Sequence, residues 1–334
     1  MSKLKRGWKK FLALNGASMF VAMLAAIIIF ELIMQFTKHP SGLVFLTGTN
    51  LMTILRQQVY IGIIAFGLTL VMITGNIDLS VGNLLTFLCC ICAKMVMSTD
   101  NGFLGFFGTI AIGAACGLLN GVLVSYVRLN SFITTLGTSS IFFALAQKIS
   151  AGTILVIPND CSPFFRFMGT SSLGPIHILI VWFVLVAVIL ALVLSRTVFG
   201  QQLYSVGSNP IAARFSGIKA KRNICISYVV TGACSGLAAA VMMANALSSN
   251  PQNASGKEME VILCVVLGGV SVIGGKGSVW GTIIGVMFYG ILSAGFTQLN
   301  MSVYIQWVVM GAIMVLALSM DVLKERGVKL WKRK

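Results

Sequence analysis

Between Arg56 and Asp78 the chain runs Gln57-Gln58-Val59-Tyr60-Ile61-Gly62-Ile63-Ile64-Ala65-Phe66-Gly67-Leu68-Thr69-Leu70-Val71-Met72-Ile73-Thr74-Gly75-Asn76-Ile77, 21 residues without a charge. A bilayer core about 30 Å thick needs roughly 20 apolar helical residues per crossing. The run lacks the polar–apolar alternation of a barrel strand, so it reads as a membrane-spanning helix. The same measure applied outward finds more. Lys10 to Glu31 encloses 20 uncharged residues, Asp100 to Arg128 27, Arg128 to Lys148 19, Arg166 to Arg196 29, and Arg222 to Lys257 34. Lys276 to Asp321 encloses 44, room for two helices turning near Leu299-Asn300. Two shorter intervals, Asp78 to Lys94 and Glu260 to Lys276, enclose 15 each. The expectation is an all-α integral membrane protein of about ten transmembrane helices, one domain over 1–334.

Composition agrees. Hydrophobic residues make up 57% and charged residues 10%, against roughly 25% charged in soluble chains, and the mean hydropathy is +0.95. The net charge of +16 sits between the apolar runs, as membrane proteins carry it, and not as a nucleic-acid footprint. With the N-terminus cytoplasmic, the inside segments hold Lys3, Lys5, Arg6, Lys9, Lys10, Arg128, Arg196, Arg214, Lys219, Lys221, Arg222, Lys276 and the basic tail. Reversing the topology reverses that bias, so both termini are expected in the cytoplasm. Trp8, Trp280 and Trp331 then fall near the cytoplasmic interface. The run 11–30 is too long for a signal-peptide core and lacks a cleavage pattern, so it reads as an uncleaved first helix. Cysteines 89, 90, 92, 116, 234 and 264 lie within apolar runs, Cys225 at an edge and Cys161 in an outside loop; no His or second pair accompanies the Cys89/Cys92 spacing, and they read as packing residues.

The chain also carries an internal echo. Gly108-Thr109-Ile110 … Gly117-Leu118-Leu119-Asn120-Gly121 matches Gly281-Thr282-Ile283 … Gly290-Ile291-Leu292-Ser293-Ala294 at a constant offset of 173. Each half has a glycine-marked break, Gly75-Asn76-Ile77-Asp78-Leu79-Ser80-Val81-Gly82 and Gly268-Gly269-Val270-Ser271-Val272-Ile273-Gly274-Gly275. An odd helix offset separates predicted helices 2–5 from 7–10, which makes this an inverted repeat, a common transporter plan; small residues recurring for helix packing are the plainer account. Short or glycine-interrupted segments in matched positions point to a solute path. Asn76, Asp78, Ser80, Gly268, Gly269, Gly274 and Gly275 are therefore candidate path residues. Asp78 and Ser80 suit a helix start, while an ionised mid-membrane Asp78 would be a proton relay. Predicted helix 5 adds Thr134, Thr135 and Thr138, with Ser131 and Ser139, whose hydroxyls either hydrate a pore or bond the carbonyl one turn back.

The connection 196–223 has five basic residues and no acid. Within it, Ser208-Asn209-Pro210-Ile211-Ala212-Ala213-Arg214-Phe215-Ser216-Gly217 spells a short helix: Ser208 or Asn209 as cap, Pro210 in the first turn, Gly217 as stop. Two turns are marginal alone, so the segment is expected to dock on something, with Ile211 and Phe215 on one face.

These motifs in order resemble the permease subunits of bacterial ATP-binding-cassette importers for ribose, galactose, xylose and related sugars. The resemblance rests on Asn76 to Gly82, on Ser131-Phe132-Ile133-Thr134-Thr135-Leu136-Gly137-Thr138, on Phe199-Gly200 … Gly207-Ser208-Asn209-Pro210 through Ile218, and on Leu267-Gly268-Gly269 … Gly274-Gly275-Lys276-Gly277-Ser278. It implies a type II importer-like fold and a monosaccharide moved by alternating access. It also implies a second permease (homodimer or heterodimer), an ATPase subunit that holds ATP and Mg, and an extracytoplasmic solute-binding protein. Asn209, Pro210, Ile211, Ala212, Ala213, Arg214, Phe215 and Gly217 become the coupling helix seated on the ATPase. The chain has no Gly-x-x-x-x-Gly-Lys-Ser/Thr loop, so hydrolysis belongs to a partner and no cofactor to this chain. Two positions depart from the family: Asn76 replaces a usual glycine, and Ile262-Leu263-Cys264 is bulkier than usual. A nucleoside or other small polar solute is the nearest alternative cargo, and an ion-coupled secondary transporter the alternative machine. Both histidines, His39 and His177, read as loop or interface residues, and no catalytic constellation is present.

Overall fold

The computed structural model describes residues 17–38, 43, 45–158, 160, 162–252 and 256–325. The expectations for the basic N-terminal segment with Trp8, for His39, for Cys161 and for the basic tail with Trp331 lie outside these residues. The helices are α1 (Ala17–Lys38), α2 (Gly48–Ile73), α3 (Val81–Thr99), α4 (Gly102–Ser125), α5 (Ser131–Ser150), α6 (Pro163–Thr170), α7 (Ile178–Arg196), α8 (Val198–Ser208), α9 (Pro210–Phe215), α10 (Ala220–Ala246), α11 (Lys257–Leu267), α12 (Val279–Gln298) and α13 (Val303–Glu325). Two minimal antiparallel ribbons join loops at helix ends: β1 (Leu155–Val156) pairs with β4 (Ser248–Ser249), and β2 (Ser172–Leu173) with β3 (Ile176–His177). Among the described residues, eight helices are long and apolar enough to cross a membrane, and α13 is apolar over Val303–Ser319.

Each of the ten expected segments forms a helix, but charges mark their ends poorly. Glu31, Arg56 and Lys94 lie inside α1, α2 and α3 rather than at their ends. Arg56 and Lys94 are exposed, and long cationic side chains reach an interface from within a helix. Glu31 is buried, and its carboxylate accepts the amides of Phe45 (2.8 Å) and Leu46 (2.9 Å) in the α1–α2 turn. The expectation of a short third helix is corrected: α3 passes through Lys94 to Thr99 and has 19 residues. Only the eighth segment is short. α11 ends after 11 residues because the chain then turns through Gly269, Gly274, Gly275 and Gly277, all at positive φ.

α2 is buried on every side from Gly62 to Ile73 and forms the centre of the bundle with α10. The two run antiparallel: Gly67 lies on Thr231 and Cys234, while farther along the chain the Tyr228 hydroxyl donates to the Ile77 carbonyl (3.0 Å). Predicted helices 2 and 7 thus enter the membrane in opposite senses, as an inverted repeat requires. The outer partners are exchanged in the same way. α4 packs on α10, and α12 packs on α2; α3 lies against α10, and α11 against α2. Gly117 of α4 faces Tyr228 and Gly232 of α10, and its counterpart at the 173 offset, Gly290 of α12, faces Ile54 and Gln58 of α2. Thr282 of α12 shares a hydroxyl hydrogen bond with Thr69 of α2 (2.7 Å). Exposed apolar side chains such as Ile29, Phe36, Leu119, Ile133, Leu192 and Val308 cover the outside, a surface suited to lipid.

Candidate functional site

The first glycine break is a turn held by side-chain hydrogen bonds. The Asp78 side chain is 1% exposed, and its Oδ1 accepts from the Ser80 amide (2.9 Å) and hydroxyl (2.6 Å). Ser80 Oγ in turn accepts from Asn120 Nδ2 of α4 (2.9 Å). Ser80 occupies the N-cap position of α3 without making a cap bond, so Asp78 closes the turn before the helix rather than capping the helix. The α5 hydroxyls hold the same segment. Ser131 Oγ accepts from the Ile77 amide (3.4 Å), Thr135 Oγ1 from the Leu79 amide (3.0 Å), and Ser139 Oγ from Asn83 Nδ2 (2.9 Å). Thr134 and Thr138 bond back to their own helix, at Asn130 O and Thr135 O. Asn76 Nδ2 donates to Thr74 Oγ1 (2.9 Å).

Both donors to the Asp78 carboxylate are uncharged and meet at Oδ1, an arrangement that suits holding the turn. Asp78→Asn keeps an oxygen for both donors and is expected to retain uptake. Asp78→Leu leaves two buried donors unpaired, at about 1–3 kcal/mol each. Thermal unfolding of the detergent-solubilised variants together with uptake assays checks this; loss of uptake in the stable Asn variant would restore the relay.

The second break meets the first. The Gly275 amide donates to the Ile73 carbonyl at the end of α2 (2.8 Å), and Gly274 packs on the Gly75 backbone. Into this junction comes the end of α8. Gly207 lies so close that a Cβ would overlap the Ile73 carbonyl oxygen and press on the Gly275 amide, and Ser208 packs on Gly275. The Tyr204 hydroxyl donates to the Gly277 carbonyl (2.7 Å). Candidate path residues Gly274 and Gly275 thus sit at a joint between the two breaks and the end of α8, whereas Gly268 lets α11 close on the Gly281 backbone of α12. Ile262, Leu263 and Cys264 are buried in the core of α11.

α9 follows directly from the joint. Asn209, rather than Ser208, is the cap, its Oδ1 accepting the Ile211 (3.1 Å) and Ala212 (3.0 Å) amides, with Pro210 in the first turn. The helix stops where Gly217 takes φ +77°, its amide donating to Arg214 O and the Ile218 amide to Ala213 O, a Schellman closure. Ala213 is 4% exposed, while Ile211 is 70% and Phe215 89% exposed. The helix turns its small residue inward and its large apolar ones out. Arg128, Arg196, Lys219, Lys221, Arg222 and Lys276 lie in the connections and helix termini at this same end, where Lys221 also sits over the Tyr126 ring (5.9 Å).

Sequence reasoning missed Tyr204, Asn83 and Asn120. The two asparagines had a signal: an amide within an apolar membrane run needs a partner. Tyr204 had none, since its acceptor is a backbone carbonyl 73 residues away.

The chain is similar to the D-allose transport system permease protein AlsC of Escherichia coli strain K12, 33% identical over 83% of this chain and 84% of that one. It is 35% identical to the ribose import permease protein RbsC of Bacillus subtilis over 83% and 86% of the two chains. The galactose/methyl galactoside import permease protein MglC of E. coli strain K12 is 30% identical over 96% and 97%. No solved structure matches. Residues 50–318 match the model of the branched-chain amino acid transport system permease components. With that match spanning the repeat, the joint and α9, the chain belongs to this family of multi-pass membrane permeases.

Proposed function

We propose that the chain is the membrane-crossing subunit of an ATP-driven importer for a neutral monosaccharide, working by alternating access. An ATPase subunit seats on α9, a solute-binding protein delivers cargo at the opposite face, and a second permease chain completes the path. The observation that carries this reading is α9 itself. It is a rigidly capped helix with an outward Phe215, rooted through Gly207 in a joint made from both glycine breaks. A motor gripping α9 would act on both halves of the repeat at once. The basic character of that end supports placing it in the cytoplasm. The names of the relatives support a sugar as cargo.

The test is reconstitution in proteoliposomes with the ATPase subunit and the binding protein, using ribose, allose, arabinose and galactose as cargo. Uptake is expected to require ATP and both partners; sugar movement by the chain alone down an ion gradient would overturn the reading. Phe215→Ala tests the grip. Phe215 is almost fully exposed in this chain, so its loss is expected to leave thermal stability unchanged. A buried aromatic anchor contributes about 2 kcal/mol or more to an interface, so ATPase affinity is expected to fall about thirtyfold in a binding titration.

A further inference from the structure

At the end of the bundle away from α9, a cleft opens between α3 and the turn that follows α10. Leu85, Thr86, Cys89, Met242, Ser248 and Asn250 line it, with Ser249. α10 starts beside α9 and ends at this cleft, and its 27 residues span about 40 Å, so the cleft faces the opposite side of the membrane. It is narrow in this conformation, with about 10 Å3 of enclosed space, room for a single water. Beside it, Ser249 Oγ lies 3.5 Å from Cys90 Sγ of α3.

Thr86 is the anomaly. Other buried hydroxyls on the membrane helices bond the carbonyl one turn back: Thr69 to Ala65, Thr109 to Gly105, Thr231 to Ser227, Ser235 to Thr231. Thr86 is 3% exposed, and among the described residues its Oγ1 is the one fully buried hydroxyl without a hydrogen-bond partner. Asn83, one turn earlier on α3, bonds Ser139 through its Nδ2 and leaves Oδ1 without a partner. A buried hydroxyl with no partner destabilises a membrane helix, and valine has the same shape without that cost. The lining is uncharged and mixes apolar walls with hydroxyl and amide groups. That chemistry suits a neutral polyhydroxy solute, whose ring face needs apolar contact and whose hydroxyls need donors and acceptors; an ionic cargo would leave a charge uncompensated.

The structure assigns this cleft as the outer solute subsite of the permease, closed in this conformation, with Thr86 as the residue that hydrogen-bonds a sugar hydroxyl when the turn after α10 moves away from α3. The assignment rests on the importer reading above. Thr86→Val tests it because the two roles predict opposite signs. In the full complex with the ATPase and the binding protein, ribose, allose, arabinose and galactose serve as probes. The Val variant is expected to melt at or above the wild-type temperature, keep ATPase stimulation, and lose roughly tenfold in uptake rate at saturating binding protein; Thr86→Ser is expected to restore uptake. Wild-type uptake in the Val variant, with the wild-type complex active, would overturn the subsite alone. A wild-type complex that moves none of the four sugars would overturn the importer reading and the subsite with it.

Discussion

Gly207→Ala is expected to abolish ATP-driven uptake. The added methyl would occupy the position of the Ile73 carbonyl oxygen, which already accepts from the Gly275 amide. Neither group can yield cheaply, because both belong to backbone and the hydrogen bond between them joins the two glycine breaks. α8 must therefore leave the joint. Backbone overpacking of this kind costs about 3 kcal/mol or more, and the displaced helix is the one that carries α9. The expected result is a chain that still inserts, still binds the ATPase through Phe215, and no longer converts hydrolysis into uptake. Measuring ATPase binding, ATPase stimulation and sugar uptake on the same proteoliposomes separates these; normal uptake by the alanine variant would show that the joint is not in the transmission line.

Gly113→Leu is expected to have the larger effect on stability. In α4, Gly113 meets the Gly232 carbonyl and the Gly236 backbone of α10, Gly117 meets Tyr228 and Gly232, and Gly121 meets Cys225. Lipid is as apolar as any side chain, so membrane helices associate through close packing rather than hydrophobic expulsion, and small residues permit the approach. A leucine at the centre of this seam separates the two backbones along several turns. A loss of about 3–5 kcal/mol is expected, seen as a collapse of folded yield and melting temperature in detergent. Gly137→Leu is the control: Gly137 lies on the exposed face of α5 with no neighbour within 4 Å, and its leucine variant is expected to melt as the wild type does. Equal behaviour of the two would mean that the α4–α10 seam does not hold the bundle.

The spanning helices and α9 were legible in the sequence because each depends on a local rule. Apolar length decides a crossing, and a cap, a proline and a terminal glycine decide a short helix within ten residues. The inverted repeat was legible as a spacing of 173 because small residues are demanded at matched helix contacts. Interval counting misjudged α3, since Lys94 is exposed and carries its charge away from the helix while the backbone continues to Thr99. Thr134 and Thr138 shared a polar reading with Thr135, yet only Thr135, along with Ser131 and Ser139, faces the α3 segment. Hydroxyls one residue apart on a helix point about 100° apart, and composition does not say which direction a neighbour occupies.

By itself, the sequence determined that this chain lives in a membrane as a helical repeat with a short capped helix at Asn209–Gly217, because hydrophobic length, charge placement and capping act over one or two turns. The tertiary structure alone decided that Gly207 wedges into both breaks, that Asp78 is held by Ser80 while Asn120 bonds Ser80, and that Thr86 is left without a partner beside a cleft. Those facts depend on how far each helix is rotated and shifted against helices many residues away. That rotation is set by where glycines let backbones touch, a property of the assembled bundle and of no single segment within it.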